Sequence, residues 1–329
     1  NRIYSSFGTI VCGESNIINS TKSFVGNGFG NSIDGGADFS SIVNGYKNNI
    51  NNFSSFSVIG GGLNDTVNGI WSGVFSGDSN VAGNGPEDTA VVIAGGYGNR
   101  IIDKFSSICG GDNNLIKAEH SFIGGGDSNV VWSENTSYAV IGGGKENWIK
   151  CNYGGVFSGE GNKVYGDYSV ICGGDSNFAI GSSSFVGGGY WNYITGAYSG
   201  ICGGSNDSIK SSYSFIGGGY CNKILDNSIY SFIGSGYKNT ISSGAIYSVI
   251  GGGLNDTVNG IWSGVLSGTF NLSGNDATDT AVVIAGGYKN KILKRFSAIC
   301  GGKENIDSTA YGFIGGGEKN ILGKNQNTQ

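Results

Sequence analysis

Proline occurs once in 329 residues, methionine is missing, and there is one histidine. A single proline excludes a collagen triple helix, which needs a strict three-residue period and frequent proline. Charge is also scarce, at 13% of residues with a net charge of −5. Without clustered Lys and Arg there is no nucleic-acid footprint. No apolar run reaches the eighteen or so residues that a membrane span needs, and no signal peptide is recognisable, so membrane insertion is not expected. Because residue 1 is Asn, the expectation is a processed chain or part of a longer one.

Glycine, by contrast, is abundant at 64 residues, alongside 17 Phe, 17 Tyr and 5 Trp. A disordered segment would be poor in aromatic and β-branched residues, so this chain should fold. Its pattern is repetitive. Anchoring each copy on a Ser-like residue two places before an Ile or Val gives twenty copies, starting at residue 8 and ending with the copy at 312. Twelve of the nineteen spacings are fifteen residues and the rest are 17, 18 or 19. The third place is Ile or Val and the sixth is Gly in all twenty copies, while the ninth is Asn in seventeen and Asp at Asp65, Asp207 and Asp256.

A unit of fifteen residues is too short for a helix pair, and each glycine costs about 1 kcal/mol inside a helix. The opening residues of each copy alternate as a β-strand does, and a second strand is expected around the eleventh place. Two short strands and two turns make one coil of a β-solenoid or β-roll, with coils stacked about 4.8 Å apart. The expected organisation is a lead-in at 1–6, one repeat domain at 7–323 and a tail at 324–329, giving a solenoid roughly 90–100 Å long. Spacings from 23 to 121 recur identically from 214 to 312, and SVIGGGLNDTVNGIWSGV appears at both 57–74 and 248–265, which marks an internal duplication.

The G-x-x-N segment from the sixth to the ninth place reads as a corner of positive φ, with Asn side chains stacked as a ladder. A calcium-binding roll would need carboxylates where these amides stand, so no metal or other cofactor is expected. The last residue of a copy is aromatic at fifteen of twenty junctions, including Tyr198, Tyr213, Tyr230 and Tyr247, and His120 occupies the same place. His120 is therefore read as a column member, since general-base chemistry would need an orienting partner. The column is expected to pack between coils, the other reading being an exposed stripe for glycan rings.

If the third place points inward, the second points outward, yet it holds Phe24, Phe122, Phe185, Phe215, Phe232 and Phe313. Both faces of that strand ask for burial, so these six are the candidate contacts between chains. Seven cysteines include Cys109, Cys172, Cys202 and Cys300 at the fourth place, and they read as small buried residues. Two coils separate Cys172 from Cys202, about 9.6 Å, beyond disulfide reach. Bonding between chains stays open. N-x-S/T sequons at Asn19, Asn52, Asn64, Asn135, Asn206 and Asn255 are glycosylation candidates, whereas Asn271 is a corner residue and is not expected to carry a glycan.

The repeats SVIGGGLNDTVNGIW (57–71), SVICGGDSNFAIGSS (169–183) and SFVGGGYWNYITGAY (184–198) resemble the head repeats of trimeric autotransporter adhesins, the YadA-like left-handed β-roll, and related glycine-rich tail-fibre-like surface proteins. The resemblance covers residues 7 to 323, with GGG-x-x-N here in place of that family's G-x-x-A turn. It implies a left-handed parallel roll, a parallel homotrimer, a non-enzymatic fibre on a cell or virion surface, and adhesion to surface glycans or host-surface proteins. Head-to-tail stacking into filaments is the alternative assembly. A polysaccharide-processing tailspike would need carboxylates meeting in a groove, and an ice-binding solenoid would need a threonine ladder; acidic residues are scattered and no place is mostly Thr.

Overall fold

The computed structural model describes residues 1–132 and 137–323, which form 41 strands of two or three residues and no helix. The fold is a parallel β-solenoid of about 21 coils. The extra half-coil beyond the repeat count comes from Arg2–Ile3, which pairs with Ile17–Ile18. Two compact units, Asn1–Val164 and Tyr165–Gln329, are built on the same plan.

Each coil gives its second and third places to a first sheet and its tenth and eleventh places to a second. Like places pair with like: Gly200 with Phe215 and Ile201 with Ile216 in the first sheet, Ser208 with Lys223 and Ile209 with Ile224 in the second. A single-residue bridge at the seventh place, such as Tyr220 to Tyr237, forms a third column of contacts. Coil length does not disturb the register. Val74 pairs with Ile93 across a long coil because the additional residues bulge out after its second strand.

Strand alternation turns the third and eleventh places inward. Ile201, Ile209, Ile216 and Ile224 are wholly buried, and each such side chain contributes about 1.5–3 kcal/mol of apolar burial. Polar ladders run beside these aliphatic columns. Asn31 Nδ2 donates to Asn16 Oδ1 at 3.1 Å and to Gly45 O at 3.0 Å, while Asn31 Oδ1 accepts the Asn48 N–H at 3.0 Å. Serines at the first place do the same. Ser57 Oγ donates to Gly69 O of its own coil at 2.8 Å and accepts the Ser72 N–H of the next at 3.2 Å. The ladder asparagines and first-place serines are thereby satisfied from coil to coil, which lets a slender interior stay polar along two edges.

The corner differs from its expected form. Sixth-place glycines do lie at positive φ, 94° at Gly189, where a Cβ would overlap the Gly204 carbonyl oxygen. The ninth-place asparagines do not; they point inward as ladder rungs. The left-handed positions are instead the eighth, at φ 53–67°, and the last, at φ 47–63°, in every coil. Most of these residues are not glycine, and each costs about 1–2 kcal/mol in that conformation. A bond between coils offsets part of it: the Tyr213 N–H donates to Ala197 O at 2.9 Å, and the Asn206 N–H to Tyr190 O at 2.9 Å.

Candidate functional site

The outer surface of the first sheet is built by the second, fourth and fifth places. None of the twenty coils carries Lys, Arg, Asp or Glu at any of the three, although the chain has 19 basic and 24 acidic residues. The second sheet has no such bias, since Arg100, Lys163, Lys223 and Lys291 all lie on its outward places. The bare face also has relief. Phenylalanine at the second place is matched with glycine at the fourth, as in Phe24 and Gly26 or Phe185 and Gly187; Gly73 and Phe75 or Gly155 and Phe157 reverse the order.

Phe24, Phe122, Phe185, Phe232 and Phe313 are exposed on this face and Phe215 is half-buried, stacked on Phe232 at 5.9 Å. Val11, Val43, Phe75, Phe157 and Leu266 of the fourth place are more than half exposed. Cys109, Cys202 and Cys300 are exposed here too, and Cys172 is half-buried, which corrects the reading of these cysteines as core residues. The fourth place is one step from the inward third, so alternation turns it out.

Junction aromatics form stacked surface ladders. Phe105, His120 and Tyr138 lie ring on ring at 4.9 and 4.8 Å, with planes within 8°. Tyr198, Tyr213, Tyr230 and Tyr247 stack likewise at 4.9, 5.1 and 5.1 Å, the middle pair inclined by 24°. They pack between coils as expected, yet about half of each ring stays exposed; Tyr213 is 48% accessible. Ring faces are used up by neighbours, so interior rungs present only edges to solvent. Where the next rung is alanine the exposure rises, to 64% at Trp71 and 62% at Trp262.

Of the sequons, Asn19, Asn52 and Asn64 are exposed and Asn206 and Asn255 half-buried, the last three of these five at the left-handed eighth place. Asn271 is a buried ladder rung, and Asn135 lies outside the described residues. Three rungs are carboxyls. Asp65, Asp207 and Asp256 each accept the next coil's Asn N–H and Nδ2–H on Oδ1, at 2.7–3.0 Å, while Oδ2 has no partner. Burial pushes all three upward from the ordinary carboxyl value, Asp207 to about 6. Among the described residues no three His, Cys, Asp or Glu side chains gather as a metal-holding group, and no helix is long and apolar enough to cross a membrane. No protein-family model matches the chain and no curated protein sequence is significantly similar to it.

Proposed function

We propose that the protein is a subunit of a non-enzymatic extracellular fibre on a cell or virion surface, associating with copies of itself through the outer face of the first sheet. The observation that carries this reading is the absence of charge from three places in all twenty coils, beside exposed Phe and Val. A solvent-facing sheet surface ordinarily alternates to polar and charged residues, whereas sheets covered on both faces do not. Extended uncharged patches of this kind mark interaction sites. Phenylalanine against a glycine hollow gives neighbouring chains knobs and holes to interlock. Three parallel chains is the arrangement of the adhesins whose repeats these resemble, and the exposed aromatic ladders supply surface for adhesion to glycans or host-surface proteins.

Replacing Phe185, Phe215 and Phe232 together by Ser tests the face. These side chains point away from the coil interior, so the fold should persist while the assembly falls apart. Expected are monomers with unchanged far-ultraviolet circular dichroism in place of a larger species. An assembly of unaltered mass would put the contact elsewhere.

A further inference from the structure

Where the second sheet carries charge on its outer face, that charge is almost all of one sign. Its outward tenth and twelfth places hold eight Lys or Arg against one carboxylate, Asp34, over 21 strands, in a chain where acids outnumber bases 24 to 19. This face points away from the uncharged one, since the third and eleventh places of each coil are both turned into the interior. An assembly held through the first sheet can leave the second one open. The cations are densest within the first unit, at residues 100–163. Arg100, Lys117, Lys150 and Lys163 stand on four of five successive coils, with Trp132 and Trp148 between them. The strands Leu115–Lys117 and Val130–Trp132 reach the twelfth place and pair Lys117 with Trp132. Lys117 Nζ lies 4.2 Å from the centre of the Trp132 ring, and Trp132 stacks on Trp148 at 6.5 Å. Among the described residues Arg100, Lys117 and Lys150 form no ion pair.

Carboxylates flank this strip without entering it. Asp112, Asp127 and Glu160 occupy the seventh-place corner, where Lys145 is tied to Glu160 at 3.2 Å and to Glu146 at 3.6 Å. On the other flank Glu119 is tied to Lys104 at 3.1 Å, and Asp103 Oδ1 accepts the Lys104 N–H at 2.9 Å. Glu134 lies outside the described residues. These features select the occupant. Four cations over four coil steps, about 19 Å, give roughly one per 5 Å, whereas duplex DNA carries one charge per about 1.7 Å. Lys117 and Trp148 lie against Trp132, so that ring offers no platform to an unpaired base. A strip two outward side chains wide between acidic flanks admits one narrow chain and repels a flat anionic surface such as a membrane. A linear polymer with about one carboxylate per sugar and no bases meets each condition.

We propose that the outer face of the second sheet over residues 100–163 binds a linear acidic polysaccharide, its carboxylates lying along Arg100, Lys117, Lys150 and Lys163. This deepens the adhesive reading and rests on it. Binding is tested on the purified full chain by fluorescence anisotropy with three end-labelled probes: a galacturonate oligosaccharide, a neutral glucose oligosaccharide of equal length, and an oligothymidylate of equal charge. The uronate should bind most tightly, the neutral sugar at least 10-fold more weakly, and uronate binding should fall as salt screens the cations. Lys117→Gln with Lys150→Gln should weaken uronate binding at least 10-fold, as should Arg100→Gln with Lys163→Gln. Lys210→Gln with Lys223→Gln, which removes two cations from the same face in the second unit, should change it less than 2-fold. All three variants should keep the circular dichroism of the wild type, because these side chains lie outside the core. No binding by the wild type, equal binding of the neutral sugar, tighter binding of the oligothymidylate, survival in either strip variant, or an equal loss in the second-unit variant overturns the proposal. A protein that assembles through its uncharged face but fails these tests loses this site alone.

Discussion

Replacing Asp207 by Asn should stabilise the protein at neutral pH and leave it little changed in acid. Asp207 occupies a ladder place where Asn192, one coil earlier, donates from Nδ2 to Gly188 O at 2.9 Å and Gly204 O at 3.1 Å. In Asp207 the equivalent atom is Oδ2, fully buried and without a hydrogen-bond partner. Its surroundings offer acceptors, so the position suits a protonated O–H and disfavours a carboxylate. Burial is the leading cause that lifts the group from 3.8 to about 6, partly opposed by the bonds from Asn222, and no other charged group contributes. Since the folded value lies above the unfolded one, folding takes up a proton between them. Stability from this rung is complete below about pH 4, declines as pH rises to about 6, and is lost above that, a difference of about 3 kcal/mol. Urea denaturation of wild type and Asp207→Asn from pH 4 to 8 isolates the rung from every other carboxyl. The variant should gain on the wild type progressively over that window and hold a lead of roughly 2–3 kcal/mol at pH 7. A variant less stable at pH 7, or a gap that shrinks as pH rises, would refute the reasoning.

Three further outcomes are expected. Gly189→Ala, at φ 94° with its Cβ against the next coil's carbonyl, should lower stability by more than about 2 kcal/mol in thermal melts, whereas Gly203→Ala, with nothing of its own chain within 4 Å, should leave the fold of the single chain unchanged. Tyr213→Ala removes two stacked neighbours and should cost about 1–3 kcal/mol, while Tyr213→Gly should cost less because it relieves the left-handed backbone at φ 55°. Alkylation of Cys109, Cys202 and Cys300, exposed on the uncharged face, should be slow in the assembled protein and fast in the Phe-to-Ser variant; equal rates would argue against a covered face.

What could be read from the sequence was whatever repeats by residue type. Ile201, Ile209 and Gly204 stand at places where one chemistry is enforced, and their period gives the coil, its two strands and its register. Asn192 was legible as a ladder member, but its backbone was assigned to the corner because asparagine tolerates positive φ. The left-handed places are instead the eighth and the last, and the eighth accepts Ser15, Lys47, Trp191 and Glu304 alike, so a place free in side chain leaves no trace in sequence. Its conformation is held by bonds between coils, which involve only backbone. Cys109 and Cys202 were misread because small residues suggest burial, although one step of alternation from Ile108 and Ile201 points them out. The uncharged face was half visible, as Phe at the second place; the missing charge at the fourth and fifth places emerges once those places are known to share one surface.

The central claim is that copies of this chain cover one another's first sheet, and the mass of the protein in solution tests it most directly. Sedimentation equilibrium of the full chain should return a species at three times the 33.8 kDa of one chain, unchanged by salt because the contact surface carries no charge. A mass of 33.8 kDa held across the accessible concentration range would contradict the account.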